Sequence, residues 1–412
     1  MNYPAEKKFY IDQIRNNFLP YWSKFVDPEN GGILNCINNY GDKKISDNKF
    51  TWSQGRWLWI LCRLSESAKK KTMPNIDATA LEAWADGTWN FINSYCIMED
   101  GSCCYLLTRD GKKIKDERTG RFDASIYADC FALIGSAQYA VLSKKQEAID
   151  TSKALYESIK RRIEADDFLT EPYPIPQGCR THGIPMILTN TIYEYIRMLQ
   201  AFGIPSDGAV EFGKKNASFI LERLMKEDGY INEFVSDFSD KDKRLLDRHI
   251  NPGHTIEDIW FQIEFLQAFG SLERYLPRIC KTAERTWHLG WDSEYGGLFR
   301  FVDFEGGKPR GTSTDSPYEK LIADTWDMKL WWPHSEILYT YLLLYKLTGD
   351  EKFNKIYTQS FDYIFKTFPN TELGEWIQIR TRDGKQADKL VALPVKDPFH
   401  ILRNFIKITE LL

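Results

Sequence analysis

The sequence predicts an all-α protein, built as a closed ring of about six helix pairs in one domain over residues 1–412. Apolar residues recur at steps of three and four through most of the chain, which is the period of a helix. Short alternating stretches beside glycine turns separate these segments, at intervals of one or two units of about sixty to seventy residues. No linker rich in Pro, Ser or Gly divides the chain, so we expect one domain, although its length alone would favour two or three.

Five segments carry the clearest helical pattern. Several have apolar residues on more than one face, which indicates helices that are buried on more than one side. The five segments span residues 51–70, 123–143, 189–202, 255–273 and 335–350.

Five shorter segments predict small β-hairpins inserted between the helices. Each starts with an acidic turn that contains glycine and continues into a few alternating residues, and several reach a second glycine turn. The five segments share this order of structural features, whereas their residue identities hardly repeat. The segments begin near residues 27, 99, 227, 292 and 373.

Composition and charge argue against several classes of protein. A net charge of −4 and a pI near 6.0 give no sign of a nucleic-acid or anionic-membrane surface. The start of the chain lacks the apolar stretch of a signal peptide, and no apolar run approaches the length of a membrane span. None of the eight cysteines forms a CxxC pair or lies near a histidine at zinc-binding spacing. We expect a reduced, soluble, cytoplasmic protein without a metal site.

Aromatic residues make up 14% of the chain, with 13 Trp and 21 Tyr. Composition alone favours a role in the core, but a sugar-binding cleft also needs flat rings, which stack on the apolar faces of pyranoses. Trp52, Trp331 and Trp332 are candidates for such a cleft. Arg56 shares an early helical turn with Trp52 and could steady a developing oxyanion, although a surface salt bridge is at least as good an explanation from the sequence.

Three histidines share one local pattern at predicted helix starts. In NPGHTIED, Thr255 is the predicted N-cap, which places His254 just before the first turn. In WWPHSE, Pro333 suits the first helical position, so His334 falls in the first turn. In KDPFHI, the aspartate is the predicted cap and the proline follows it, so His400 is the third helical residue.

The position of these histidines favours proton transfer. The positive end of a helix disfavours an imidazolium, so such a histidine tends to stay neutral near pH 7 and can accept a proton. If the helix starts point toward one end of the ring, the side chains converge on one pocket. A single histidine is more often structural, but three in one pattern favour a shared site for at least two. His182, three residues before Pro185, is a looser fourth case.

Several of these stretches resemble one family of sugar enzymes. The segments DPENGGIL, NPGHTIED, YGGLF, KLWWPHSE, LTGD and FHILR occur in the order typical of the N-acylglucosamine 2-epimerase family, and they cover most of the chain. That family also includes cellobiose 2-epimerases and mannose isomerases. The resemblance implies an (α/α)6 barrel with the site at one end, which agrees with the ring of helix pairs.

The resemblance also implies a chemistry. After the sugar ring opens, a base removes the C2 proton to give a cis-enediolate, and a proton returned to the opposite face of C2 gives the epimer. By resemblance, His254 and His400 are the acid–base pair, Arg56 lies near O1, and Glu336 binds or orients the substrate. We further expect Glu257, His334 and His182 to contact the sugar, together with the three tryptophans. The roles of His182 and His249 stay open.

The resemblance requires no cofactor and no metal. ATP activates well-known members of the family, and that trait stays open here because the chain has no P-loop. We expect a sugar as the only partner, no nucleic acid or membrane, and a homodimer as one alternative for the assembly.

The subfamily is indicated by smaller details. NPGH followed by Thr-Ile-Glu, and GIPMIL at 183–188, are closer to the N-acylglucosamine enzymes than to cellobiose 2-epimerases, whereas FHILR departs from their usual FHVPR. A mannose isomerase and a cellobiose 2-epimerase remain alternatives. Two alternatives lie in other classes: a glycoside hydrolase on the same barrel, which would need two facing carboxylates, and a non-catalytic carbohydrate-binding relative.

Overall fold

The computed structural model describes residues 3–236, 243–270 and 272–412. Helices dominate these residues, and the strands are short. In chain order the α-helices are α1 (Tyr3–Gln13), α2 (Leu19–Trp22), α3 (Thr51–Lys69), α4 (Ala78–Phe91), α5 (Ile126–Ser143), α6 (Gln146–Glu164), α7 (Gly183–Ala201), α8 (Asp207–Phe219), α9 (Leu245–Arg248), α10 (Pro252–Phe269), α11 (Leu272–Gly290), α12 (Pro317–Thr325), α13 (Trp331–Thr348), α14 (Glu351–Thr367) and α15 (Phe399–Leu411). Short π-helical turns at Ile14–Phe18, Ile92–Cys96 and Ile220–Leu224 follow α1, α4 and α8, and a 3-10 turn at Ser23–Phe25 follows α2.

The strands pair only in small antiparallel groups among the described residues. One sheet has three strands in the order β1–β2–β3, and the other pairs are β4–β5, β6–β7, β8–β11 and β9–β10. The strands are β1 (Lys49–Phe50), β2 (Leu106–Leu107), β3 (Lys113–Ile114), β4 (Cys179–Thr181), β5 (Phe234–Ser236), β6 (His249–Ile250), β7 (Val302–Asp303), β8 (Lys329–Leu330), β9 (Pro369–Asn370), β10 (Glu375–Trp376) and β11 (Ile379–Arg380).

Two concentric layers of helices form a closed ring. In the part of the chain that the structure describes, the inner layer consists of α3, α5, α7, α10, α13 and α15; each contacts the next, and α15 returns to contact α3. The outer layer consists of α4, α6, α8, α11, α14 and α1, each packed on the inner helix beside it. This arrangement confirms the predicted all-α (α/α)6 barrel.

Helix α5 illustrates why the inner helices have apolar residues on every side. It has the length and hydropathy of a membrane-crossing helix, contrary to the expectation that no segment comes close to them. Most of its residues are buried inside the protein, because α3 and α7 flank it and α6 covers its outer side. Its composition therefore reflects its place in the barrel, as expected for a helix that is hydrophobic all round.

Glycine allows α3 and α5 to pack closely. A Cβ added to Gly55 of α3 would overlap the backbone of Phe131 and Ala132, and a Cβ added to Gly135 of α5 would overlap the backbone of Gly55. The two helices thus contact each other backbone to backbone at these positions.

The five predicted hairpins are all confirmed. Isolated antiparallel bridges close four of them, and the pair β9–β10 closes the fifth. Each follows an outer helix and precedes an inner one, so the hairpins gather at the end where the inner helices begin. Residues 165–182, between α6 and α7, have no such hairpin and form part of a cavity wall. The four bridges are Val26–Ile33, Ile97–Cys103, Met225–Ile231 and Trp291–Leu298.

Two of the predicted helix starts are shifted. Helix α10 begins at Pro252, and its cap is Asn251, whose side chain accepts the backbone N–H of His254 at 3.3 Å; Thr255 is not the cap. Helix α13 begins at Trp331, so Pro333 is its third residue. Helix α15 begins at Phe399, and the Asp397 carboxylate accepts its N–H at 2.9 Å, close to the predicted cap.

Candidate active site

A cavity of about 210 Å³ lies at the end of the barrel where the inner helices begin. Each of the six inner helices contributes residues from its first turns, so six positive helix ends surround the cavity. A larger groove, of about 830 Å³, lies along residues 166–181 and α8 and contains none of the predicted site residues. From the inner helices, the lining residues are Trp52, Arg56, Tyr127, Phe131, Gly183, Met186, Ile187, His254, Glu257, Trp331, Trp332 and His400.

His400 enters the cavity from the first turn of α15. Its Nδ1–H donates to Glu336 Oε1 at 2.7 Å, which leaves Nε2 without a hydrogen bond to any described residue. Glu336 also accepts from Arg403 at 2.7 Å and, through its other oxygen, from Trp260 at 2.8 Å. Arg403 reaches Glu257 as well. The carboxylate therefore fixes the orientation of the imidazole, as in many acid–base sites.

The charges around His400 keep Glu336 ionised. Burial favours the neutral acid, but Arg403 and His400 hold the pKa of the Glu336 carboxyl at about 2. The Glu336 side chain is fully buried and that of Arg403 is 2% exposed, so this ion pair is shielded from water. An ionised, fully buried carboxylate therefore lies directly behind the imidazole of His400.

His254 enters the cavity from the first turn of α10 in a similar way. Its Nδ1–H donates to Glu233 Oε1 at 2.8 Å, and its side chain is 26% exposed. Burial raises the pKa of Glu233, but His254 and His182 together hold it well below its usual range. The second imidazole of the cavity is thus also fixed by an ionised glutamate.

The indole of Trp332 lies beside both imidazoles. Its centroid is 5.3 Å from that of His254 and 5.5 Å from that of His400. Because the three rings line one cavity, a sugar that binds beside the indole would lie near both imidazoles. This is the juxtaposition that proton transfer on two faces of one carbon requires.

Arg56 supplies a positive charge to the same cavity. Its Nη1 donates to Asp397 at 2.6 Å, and its guanidinium packs against Phe131, Trp52 and Phe399 at 4.0, 4.8 and 5.1 Å. Burial lowers the pKa of Arg56 to about 10, so it stays charged near pH 7. It is a buried ion pair at the cavity, and not a surface salt bridge.

His334 lies outside the cavity, which corrects the expectation that it contacts substrate. Its ring is fully buried: Nε2 accepts the backbone N–H of Leu298 at 2.8 Å, and Nδ1–H donates to the Leu330 carbonyl at 2.5 Å. Burial lowers its pKa to about 3, so the ring is neutral. His334 therefore ties a hairpin to the start of α13.

His182 also lies behind the cavity wall, so the expectation of a direct substrate contact is corrected here as well. Its side chain is 1% exposed, and it lies between two carboxylates. Nδ1 is 3.6 Å from Glu233 and Nε2 is 3.4 Å from Asp258. His182 therefore contacts the partner of His254 and reaches the cavity only through it.

Several cavity residues were not identified from the sequence. The most important is Glu233, whose only local signal is a carboxylate in the alternating stretch after the hairpin near residue 227. Asn251 is identifiable as an N-cap once the helix start is placed correctly. Arg300 and Tyr318 come from connections outside the inner helices and have no local signal.

In the part of the chain that the structure describes, two groups of three possible metal donors have their donor atoms within 4.8 Å of one another: His182, Glu233 and His254, and Glu257, Glu336 and His400. In the second group, the guanidinium of Arg403 already pairs with both carboxylates and compensates their negative charge. In the first, Glu233 lies between two imidazoles. We therefore treat neither group as a metal centre.

Comparison with known proteins gives a consistent result. The sequence model of a family described as N-acylglucosamine 2-epimerase (GlcNAc 2-epimerase) matches residues 31–403. An N-acylglucosamine 2-epimerase of Bos taurus is 29% identical over 94% of this chain and 86% of its own length. A cellobiose 2-epimerase of Dictyoglomus turgidum is 22% identical over 91% of each chain. The structure of a cellobiose 2-epimerase from Bacillus thermoamylovorans covers all of both chains with a TM-score of 0.79 at 18% identity, which bears on the fold alone.

Proposed function

We propose that this chain, which belongs to the N-acylglucosamine 2-epimerase family of sugar 2-epimerases, interconverts N-acylglucosamine and N-acylmannosamine through His254 and His400. One observation carries the proposal. Two imidazoles from different inner helices line one cavity beside Trp332, and each is fixed through Nδ1 by a glutamate. This geometry leaves both Nε2 atoms to exchange protons with a bound sugar.

The reaction acts on the open-chain aldose. One imidazole removes the C2 proton, the C–H electron pair forms the C1–C2 double bond, and negative charge develops on O1. Arg56 and the surrounding helix ends stabilise that charge. The second imidazole, protonated and held over its glutamate, then returns a proton to the opposite face of C2, and the electrons return to restore the carbonyl. The two histidines exchange roles in the reverse reaction, so the step balances without a cofactor.

The choice of an N-acylated monosaccharide is supported by two facts. The relative named for that substrate is more similar to this chain than the cellobiose 2-epimerase, at 29% against 22% identity. Part of the cavity wall is also apolar: Pro172, Tyr318, Leu321 and Ala392 come from three separate connections between the helices. A cavity of about 210 Å³ with such a wall leaves little room for a second sugar ring and suits a small acyl group.

Glycoside hydrolysis on the same barrel is less well supported. Inverting hydrolysis needs one carboxyl with a raised pKa to act as acid. Glu336 has the opposite shift, and Glu257 is held by the same arginine. Asp258 accepts from Gln262 at 3.0 Å inside α10 and does not line the cavity. The carboxylates that line the cavity among the described residues are each paired with a histidine or an arginine: Glu233 with His254, Glu257 with Arg403 and Asp397 with Arg56.

Proton exchange tests the proposed function directly. The protein would be incubated in D2O with N-acetylglucosamine, N-acetylmannosamine, mannose, glucose or cellobiose, and loss of the C2–H signal followed by NMR. We expect deuterium at C2 and epimerisation with the two N-acetyl sugars. The variant His254→Gln should lose both, whereas His288→Gln, which changes an exposed histidine of α11, should keep them. Absence of exchange with every sugar would contradict the proposal, and exchange with cellobiose alone would contradict the substrate.

A further inference from the structure

We propose that His182 is a positioning residue of this site: its ring, wedged between Glu233 and Asp258, keeps the Glu233 carboxylate ionised and turned toward Nδ1 of His254. This proposal rests on the proposed function, in which His254 transfers a proton. His182 does not line the cavity, but through Glu233 it controls His254, which does.

The backbone places His182 and Glu233 together. Strands β4 and β5 pair Thr181 with Phe234, and the N–H of His182 donates to the carbonyl of Glu233 at 2.8 Å, directly beyond that pair. The two side chains leave the strands in the same direction, and the His182 ring lies 6.3 Å from the ring of His254. The contact is therefore fixed by the sheet register and does not depend on a mobile side chain.

Asp258 holds the other side of the ring. It lies one helical turn beyond His254 in α10, is fully buried, and uses its other oxygen to accept from Gln262. The four side chains form a continuous row: His254, Glu233, His182 and Asp258. The row contains two carboxylates and two imidazoles, and its Asp258 end is shielded from water. The His182 ring, which lies between the two carboxylates, compensates both of their charges only when it is protonated.

The charge balance of the row gives His182 its role. Burial alone would lower the pKa of His182, but Asp258 and Glu233 together raise it to about 9. The other groups that face Glu233 are Tyr127 of α5, Tyr318 of α12 and His249 of β6. Burial raises the pKa of both tyrosines and lowers that of His249, so these three stay neutral near pH 7.

Replacing His182 by a neutral residue leaves two buried anions with one cation fewer. The row then takes up a proton more readily, on His254 or on Glu233. In the direction in which His254 is the base, either event removes the combination that catalysis needs, an unprotonated His254 beside an ionised Glu233. The working form is restored only at higher pH.

The test is the pH dependence of kcat/KM for His182→Gln with the epimer whose C2 proton His254 removes, which is the epimer that His400→Asn should still exchange with D2O. We expect its acid limb to move up by about one pH unit, so that activity on that limb falls roughly tenfold while activity at the alkaline end falls less. The variant His182→Lys puts a cation back between the same carboxylates and should return the limb toward its position in the parent protein.

A matched control separates this role from simple loss of structure. His334→Gln also changes a fully buried histidine, but one bonded only to backbone groups of a hairpin and a helix start. It should lower the melting temperature without moving the acid limb. A uniform loss of activity at every pH in His182→Gln, with the limb in its original place, would overturn the proposal.

NMR of the parent protein tests the same point without measuring activity. Nitrogen-15 labelling of the six histidine rings shows which are protonated, and the His182 signal is assigned by its loss in the Gln or Lys variant. We expect an imidazolium at pH 7.5. A neutral ring at that pH would overturn the proposal even if the epimerase is active, whereas an imidazolium in a protein that exchanges no sugar proton would contradict the proposed function alone.

Discussion

The two histidine–glutamate pairs of the cavity are alike in their direct contacts and differ in what lies behind them. His254 and His400 contact their glutamates at 2.8 and 2.7 Å, and both rings lie beside Trp332. Behind Glu336 is a guanidinium, that of Arg403, whereas behind Glu233 is a second imidazole, that of His182.

The difference shows that two histidines with equal direct contacts can have unlike electrostatic surroundings. A guanidinium keeps its charge at every pH at which proteins fold, so the His400 side has a fixed electrostatic environment. An imidazolium can lose its proton, so the His254 side has an environment that titrates. The exposure differs as well: 26% for the His254 side chain and 9% for that of His400.

The largest expected effect comes from removing the fixed cation. Arg403→Gln leaves Glu257 and Glu336 buried without their counter-charge, which should cost about 3–5 kcal/mol of unfolding free energy. Urea denaturation measures this loss. Arg310→Gln, at an ion pair whose arginine is 56% exposed, is the control and should change stability by less than about 0.5 kcal/mol. A change of less than about 1 kcal/mol in Arg403→Gln would show that the two sides are not distinguished by this charge.

Opposite pH responses should sharpen the comparison. The folded-state pKa of Glu336 is lowered from 4.5 to about 2, so its stabilising contribution is present above pH 4.5 and is lost as pH falls from 4.5 to 2. The pKa of His182 is raised from 6.5 to about 9, so its contribution is complete below pH 6.5 and is lost as pH rises from 6.5 to 9.

These two pH dependences can be measured as differences in unfolding free energy between each variant and the parent protein. The stability gap between parent and Glu336→Gln should close toward pH 2, and the gap between parent and His182→Gln should close toward pH 9, each by on the order of 3 kcal/mol. Taking differences removes the contributions of other buried groups, such as Lys329, whose pKa burial lowers to about 8. A His182→Gln gap that stays constant between pH 6.5 and 9 would contradict the assignment of a titrating cation to that side.

The barrel could be predicted because its signals are local and repeated. Helical periodicity and five glycine turns each concern a few consecutive residues, and together they fix the helices, the hairpins and the end of the barrel where the inner helices start. The histidines at helix starts were found for the same reason, since Pro, Gly and Asp mark those starts in the sequence.

The partners of the histidines could not be predicted in the same way. Glu233 and His182 meet only through the pairing of β4 with β5, and residues more than fifty positions apart in the chain carry no local sign of such a pairing. His334 shows a second limit. Because each residue turns a helix by about 100°, His334 lies about 200° around α13 from Trp332, which lines the cavity, and it therefore faces the Leu298 backbone.

The most direct test of the two-sided site is to remove one imidazole at a time and follow solvent exchange in each epimer. His254→Asn and His400→Asn should both lose epimerisation, by roughly 10²- to 10⁴-fold. Each should still exchange the C2 proton of one epimer with D2O, and the two variants should act on opposite epimers. If both variants exchange the same epimer, or if either epimerises at the parent rate, the two histidines do not serve opposite faces of C2.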